Sequence, residues 1–216
     1  MDRRMLKRLI IIVAALLCGF ASGQSGAQSA RPQAIGTVSR IQGEAIGVNG
    51  SATRPLGLNS SVFLNDVVST GATARLEVTF TDNTRLTLGE KAKLTLDTYV
   101  FNPTASQGVL KFGLVGAFRF VSGQVTKLAR SDVSVTTPVA NVGIRGTEFW
   151  GGPIDDQALG VFLIEGSVRV SNAAGERILS QRGQGTNIAT PGAAPGPVTL
   201  WPPDKVSRAL AAVAFR

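Results

Sequence analysis

The sequence predicts an all-β protein: a curved β-sandwich or a short solenoid-like stack of about fourteen short strands, finished by a short C-terminal helix. Three observations carry this expectation. Apolar and polar residues alternate strictly in Arg75-Leu76-Glu77-Val78-Thr79-Phe80, Arg85-Leu86-Thr87-Leu88, Lys93-Leu94-Thr95-Leu96 and Val133-Ser134-Val135-Thr136. Period two with Val and Thr enrichment marks half-buried strands. Turn-forming groups separate these runs: Asp82-Asn83, Asn102-Pro103, Gly151-Gly152-Pro153 and Asn172-Ala173-Ala174-Gly175, and the chain holds 25 Gly and 10 Pro. Between Ala34 and Ile188 no segment sustains a helical period.

Residues 1–27 read as a secretory leader. Arg3, Arg4, Lys7 and Arg8 precede an almost wholly apolar run from Leu9 to Phe20, and small residues follow. Ser25-Gly26-Ala27 sets cleavage after Ala27. The apolar run is shorter than the roughly twenty residues a bilayer span requires, so a retained anchor is the secondary reading. Leu17 before Cys18 argues against lipidation. Cys18 is the only cysteine; its removal leaves a domain stabilised by its core alone. A periplasmic or secreted location follows.

Residues 28–188 form the expected β-domain, with a flexible lead-in over Gln28–Gln33. A small unit recurs within it: Ile41-Gln42-Gly43-Glu44-Ala45, Val121-Ser122-Gly123-Gln124-Val125 and Ile164-Glu165-Gly166-Ser167-Val168. Gly after a strand suits a bend where the chain reverses or changes sheet. Residues 189–203 are a Pro/Gly-rich linker or extended cover strand. Residues 204–216 are an amphipathic helix: Asp204 suits its start, and Val206, Leu210 and Val213 share one face. Trp201 and that face either dock on the β-domain or bind a partner.

Composition restricts the chemistry. The chain has no His, which removes Ser-His-Asp, Cys-His and His-bearing metal sites. Its net charge of +8 falls once the basic leader is gone. The remaining Lys and Arg are scattered, with no basic-aromatic stripe for nucleic acid. No metal site, cofactor or catalytic residue is expected. Asp155-Asp156 reads as a solvated turn, since calcium needs a denser oxygen set. Asp66, Asp82, Asp97, Glu148, Asp155, Asp156 and Glu165 are available as acid/base carboxylates, and no spacing pairs them. Ser122 or Ser131 near Lys127 lacks any motif of a Ser-Lys nucleophile.

The most distinctive stretch is Thr136-Thr137-Pro138-Val139-Ala140-Asn141-Val142-Gly143-Ile144-Arg145-Gly146-Thr147-Glu148-Phe149. Thr-Pro breaks one strand, and Arg145-Gly146-Thr147 interrupts the next. Gly146 permits positive φ or close backbone approach, and Arg145 presents a planar fork for oxygen acceptors. Arg145, Gly146, Thr147 and Trp201 are the candidate binding residues. Arg145 reads first as a structural brace and second as a ligand clamp.

At this stretch the chain resembles the FecR-domain family of bacterial iron-transport regulators. The motif residues are Thr137, Pro138, Ala140, Arg145, Gly146, Thr147, Phe149, Glu165 and Gly166. Gly36-Thr37-Val38, Leu64 to Thr70 and Ala74 to Thr84 extend the resemblance over about 34–188. Asn65 and Asn83 stand where the family usually has Gly; Asn tolerates left-handed turns. The resemblance implies an exported, non-catalytic interaction or sensing module. Its expected partner is an envelope protein or cell-wall polymer, with no sigma factor and no nucleic acid. Membrane contact is expected only through an uncleaved leader. The anti-sigma and C-terminal receptor-contacting parts of the regulators are not expected here. The alternatives are a structural accessory subunit of an export or surface apparatus, or an enzyme acting on envelope glycans.

Overall fold

The computed structural model describes residues 33–216; the leader expected over 1–27 lies outside them. The described residues form one curled sheet of sixteen strands with a single α-helix at the C-terminal end. The all-β class and the C-terminal helix are as the sequence predicts, with sixteen strands where about fourteen were expected.

The strands are β1 (Ala34–Gln42), β2 (Ala45–Asn49), β3 (Ala52–Pro55), β4 (Ser61–Phe63), β5 (Val67–Thr70), β6 (Arg75–Phe80), β7 (Arg85–Leu88) and β8 (Lys93–Asn102). They continue as β9 (Gln107–Val115), β10 (Phe118–Val121), β11 (Arg130–Thr136), β12 (Asn141–Ile154), β13 (Gln157–Asn172), β14 (Gly175–Leu179), β15 (Gln184–Ile188) and β16 (Thr199–Leu200). The helix α1 spans Pro203–Ala211. Along the sheet the order is β3-β2-β5-β8-β9-β11-β12-β10-β7-β6-β1-β4, and β13 carries β12, β14 and β15. Most pairs are antiparallel. β11 runs parallel to β9, which a hairpin cannot achieve; β10 and a 3-10 turn at Gln124–Lys127 make the crossover.

The alternation seen in the sequence is the burial pattern. In β6, Leu76, Val78 and Phe80 point inward, and in β7 Leu86 and Leu88 do so. Their neighbours Glu77, Thr79 and Arg85 face outward or lie half-buried. An aromatic spine crosses the core. Phe80 packs against Tyr99 and Phe112, Phe112 against Phe120, and Phe149 against Phe120 and Phe118, with ring centroids 5.2–6.3 Å apart.

Two buried carboxylates fix the turns between strands. Asp66 is fully buried and accepts hydrogen bonds from Asn49 Nδ2 (2.8 Å), Phe63 N (2.9 Å) and the Arg54 guanidinium. Asp82, also fully buried, accepts from Thr84 Oγ1 (2.6 Å), Val125 N (3.1 Å) and Tyr99 Oη (3.2 Å). A buried carboxylate persists only with such partners. Asn65 and Asn83, beside these two, both adopt φ of 66°, the left-handed geometry expected of them. Burial pushes the Tyr99 hydroxyl up to about 12, with the neighbouring Asp82 charge acting the same way.

β12 and β13, at 14 and 16 residues, are the longest strands. They form one hairpin whose tip, Asp155-Asp156, has φ of 52° and 59°. Positive φ at both central residues is the two-residue turn that matches strand twist. Arg145-Gly146-Thr147 and Gly166 do not end strands here; they bend both partners at one corner, where the register shifts. Before the corner β12 pairs with β11, and beyond it with β10.

The segment 189–203 lies along the domain. Asn172 Nδ2 donates to Ala193 O (2.7 Å), Thr186 Oγ1 donates to Gly196 O (2.8 Å), and β16 pairs with β15. It delivers Trp201 to a small apolar cluster of Trp150, Phe162, Ala209 and Val213, separate from the main core. The α1 tail therefore docks on its own domain.

Candidate functional site

The motif around Arg145 divides into three parts. Its first part is a turn. Thr137 Oγ1 donates to Ala140 O (2.9 Å) and accepts Ala140 N–H (3.1 Å), while Thr137 N donates to Ala140 O (2.8 Å). Pro138 sits exposed at the tip and Ala140 is buried. This closes the hairpin from β11 to β12.

The second part is the corner. Thr147 is 2% exposed. Its hydroxyl lies 2.8 Å from Arg145 O and 2.7 Å from Ser167 O, tying both sides of the bend. Ser122 Oγ accepts Thr147 N–H (2.7 Å) and donates to Thr147 O (3.0 Å), adding the end of β10. Gly146 takes φ of 54° and Gly166 φ of 83°. A Cβ on Gly166 would stand 2.1 Å from Gly146 O, so the two backbones meet where no side chain fits. The same holds for the recurrent unit elsewhere. Gly43 has φ of 73°, and a Cβ on Gly123 would stand 2.3 Å from Asp82 O. Phe149, the last motif residue, is fully buried in the aromatic spine.

The third part is what the corner presents. Arg145 and Gly146 are exposed, and Arg145 makes no ion pair or side-chain hydrogen bond among the described residues. Arg145 lines an open groove of about 670 Å³ with Ser131, Asp132, Ser167 and Arg169. Lys111 and Glu176 partly engage Asp132 and Arg169 from outside. The groove is polar, cationic at Arg145 and set on rigid strands, an arrangement that holds an oxygen-rich surface by guanidinium hydrogen bonds.

Trp201 stands elsewhere. It is 7% exposed, stacks on Phe162 at 5.3 Å and meets Trp150 edge-on at 6.0 Å. Lys205 lies over its ring at 4.3 Å and joins Asp155, as does Arg208. Those two cations hold the Asp155 carboxyl below the usual carboxylate range, Arg208 contributing most. Trp201 is thus a packing anchor for α1 and presents no face beside Arg145.

Four of the seven candidate carboxylates are committed to structural contacts, while Asp97, Asp156 and Glu165 are exposed. Asp66 and Asp82 are consumed by turn contacts, Asp155 by the tail, and Glu148 by Arg119. Glu165 lies opposite Glu148 in the register, yet Glu165 is exposed. Ser122 is committed to Thr147. No group of three metal-ligating residues occurs among the described residues.

A family model described as FecR protein matches residues 66–169. Those residues are a FecR domain. The match takes in the motif hairpin, the Gly146–Gly166 corner and the Arg145 face. Two crystal structures titled "putative anti-sigma factor", from Parabacteroides distasonis ATCC 8503, resemble the chain with a TM-score of 0.52 and 18% identity, over 67% of its length. The similarity spans 64% and 63% of those chains. At this identity the likeness is one of fold. No curated protein matches the chain.

Sequence reasoning missed the cations that line a groove beside α1: Arg40, Arg119 and Arg182. They are scattered over the chain, and only the non-sequential strand order brings them together.

Proposed function

We propose that this protein is a non-catalytic interaction or sensing module of the bacterial cell envelope, working in the periplasm after export, with the groove beside Arg145 as its partner-binding face. The single observation that carries the reading is the division of labour within one motif. Thr147 and Phe149 are buried and fully engaged, while Arg145 is held out unpaired on the same rigid corner. A residue needed only as a brace would spend its guanidinium on neighbouring carbonyls. The FecR domain and the anti-sigma title of its structural neighbours support a regulatory setting. The leader read from residues 1–27 supports export. The structural contacts that occupy Asp66, Asp82, Glu148 and Asp155 support the non-catalytic reading.

The partner is an envelope protein or an anionic cell-wall polymer, met through oxygen acceptors. The test compares the protein with Arg145→Ala in pulldown from envelope extract. Loss of a bound species with an unchanged melting temperature supports the proposal. A lowered melting temperature with retained binding would return Arg145 to the role of brace.

A further inference from the structure

A second groove, of about 570 Å³, opens between α1 and the outer face of β1, β6, β7 and β10. Its floor is a row of cross-strand neighbours: Arg119 faces Thr87, Thr87 faces Glu77, and Glu77 faces Arg40. Its wall is apolar, built from Phe162 and Ile164 of β13 and from Val206, Leu210 and Val213 of the tail. Its size lies within the range of small-molecule sites.

The polar groups on the floor are not equally free. Glu77 accepts from Ser39 Oγ at 2.9 Å and Thr87 Oγ1 at 3.2 Å. Arg119 is paired with Glu148. Arg40 lies on the Phe215 ring, 4.0 Å from its centroid. Neither Arg40 nor Arg182 has a carboxylate partner among the described residues. The groove thus sets two available guanidiniums beside an apolar wall. The four floor strands are each paired on both sides, so no backbone edge is open to an extended peptide. Recognition there runs through apolar contact and guanidinium forks alone.

We propose that this groove binds a single-chain fatty carboxylate, its head group on Arg40 and Arg182 and its alkyl chain along the partly exposed Ile164, Val206 and Leu210. Bidentate guanidinium–carboxylate pairing supplies the polar end. Burial of methylenes against the wall supplies the rest. The site is distinct from the Arg145 face, and either proposal stands without the other.

The test is calorimetric titration of the detergent-free protein with monomeric dodecanoate. Saturable one-to-one binding is expected. Octanoate should bind more weakly, by about fourfold for each methylene lost from contact. Dodecyltrimethylammonium, with the opposite charge, should bind at least about tenfold more weakly. The exposed variant Arg182→Glu should weaken dodecanoate about tenfold without moving the melting temperature, Arg40→Gln should weaken it likewise, and Arg145→Ala should leave it unchanged. Absence of saturable binding, equal affinity for the cationic amphiphile, or undiminished affinity in the Arg40/Arg182 double variant would overturn the proposal. So would binding to anionic vesicles or an acidic amphipathic peptide with none to dodecanoate.

Discussion

Trp201→Ala should release the C-terminal tail while leaving the sheet folded. The indole is 7% exposed and bridges Phe162 and Trp150. Truncating a buried Trp costs about 3–5 kcal/mol. What remains to hold α1 and the residues after it is Ala209, Val213, the half-buried Val206, the Asp155 ion pairs, the Lys205–Asn187 and Arg216–Gln42 hydrogen bonds and the Arg40–Phe215 contact. A buried Val contributes about 1.5–3 kcal/mol, and the solvent-screened Asp155 pairs add little. A helix of nine residues is too short to persist alone, so it holds only as long as these contacts outweigh the entropy of ordering it. The balance tips to the undocked state. Because Trp201 belongs to a cluster apart from the main core, the sheet should melt within a few degrees of the parent. Limited trypsin digestion would then cut at Lys205 and Arg208. Trp150, the only Trp left of two, is fully buried in the parent, and its emission should shift to the red. Two results would refute the reasoning. One is a tail as trypsin-resistant as before, with Trp150 emission unmoved. The other is a single cooperative transition lowered by the full 3–5 kcal/mol, which would make tail and sheet one unit.

Gly166→Ala should destabilise by about 3 kcal/mol or more, from the left-handed backbone and the clash with Gly146 O. Gly146→Ala, where a Cβ meets nothing within 4 Å, should cost only about 1–2 kcal/mol; thermal melts that rank the pair the other way would contradict the corner geometry. The Asp155 carboxyl is held below its usual range by Arg208 and Lys205, so its contribution is present above about pH 3.8 and is lost as pH falls through the folded-state value. Acid should therefore make the tail modestly more open to trypsin, and Asp155→Asn should remove that pH dependence. The Tyr99 hydroxyl is raised to about 12, so its contribution is complete below about pH 10 and is lost as pH rises through about 12. Tyr99 is the sole Tyr, so near-ultraviolet phenolate absorbance follows it directly. A midpoint near 10 in folded protein would contradict the burial argument.

Local chemistry made much of the fold legible in the sequence. Period-two alternation located β6, β7, β8 and β11 because each buries one face. Asn65 and Asn83 announced left-handed turns because few other residues adopt them without strain. Pro and Asp at the start of α1 and its apolar face marked the helix. Pairing order was not legible. β1 lies between β4 and β6, and β9 parallel to β11, because of side-chain complementarity across many residues, which leaves no local trace. Arg145-Gly146-Thr147 read as an interruption because Gly breaks a pattern equally well when a strand ends and when it bends. Only the facing Gly166 distinguishes the two. The exposed Arg145 could be nominated but not placed, since whether a guanidinium finds carbonyls depends on the third dimension. The Arg40 groove was out of reach for the same reason: its floor collects residues from four strands that meet only after the sheet has curled.

The order of the strands also bears on how this protein avoids association with other chains. Those with one neighbour only are β3, β4, β14 and β16, which have 4, 3, 5 and 2 residues. β3 ends in Pro55, and β14 carries Glu176 and Arg177. A ribbon of sixteen members with such stubby, charged or proline-stopped terminal strands offers passing chains little ladder to extend there. Self-assembly into fibrils through those margins is thereby discouraged by architecture.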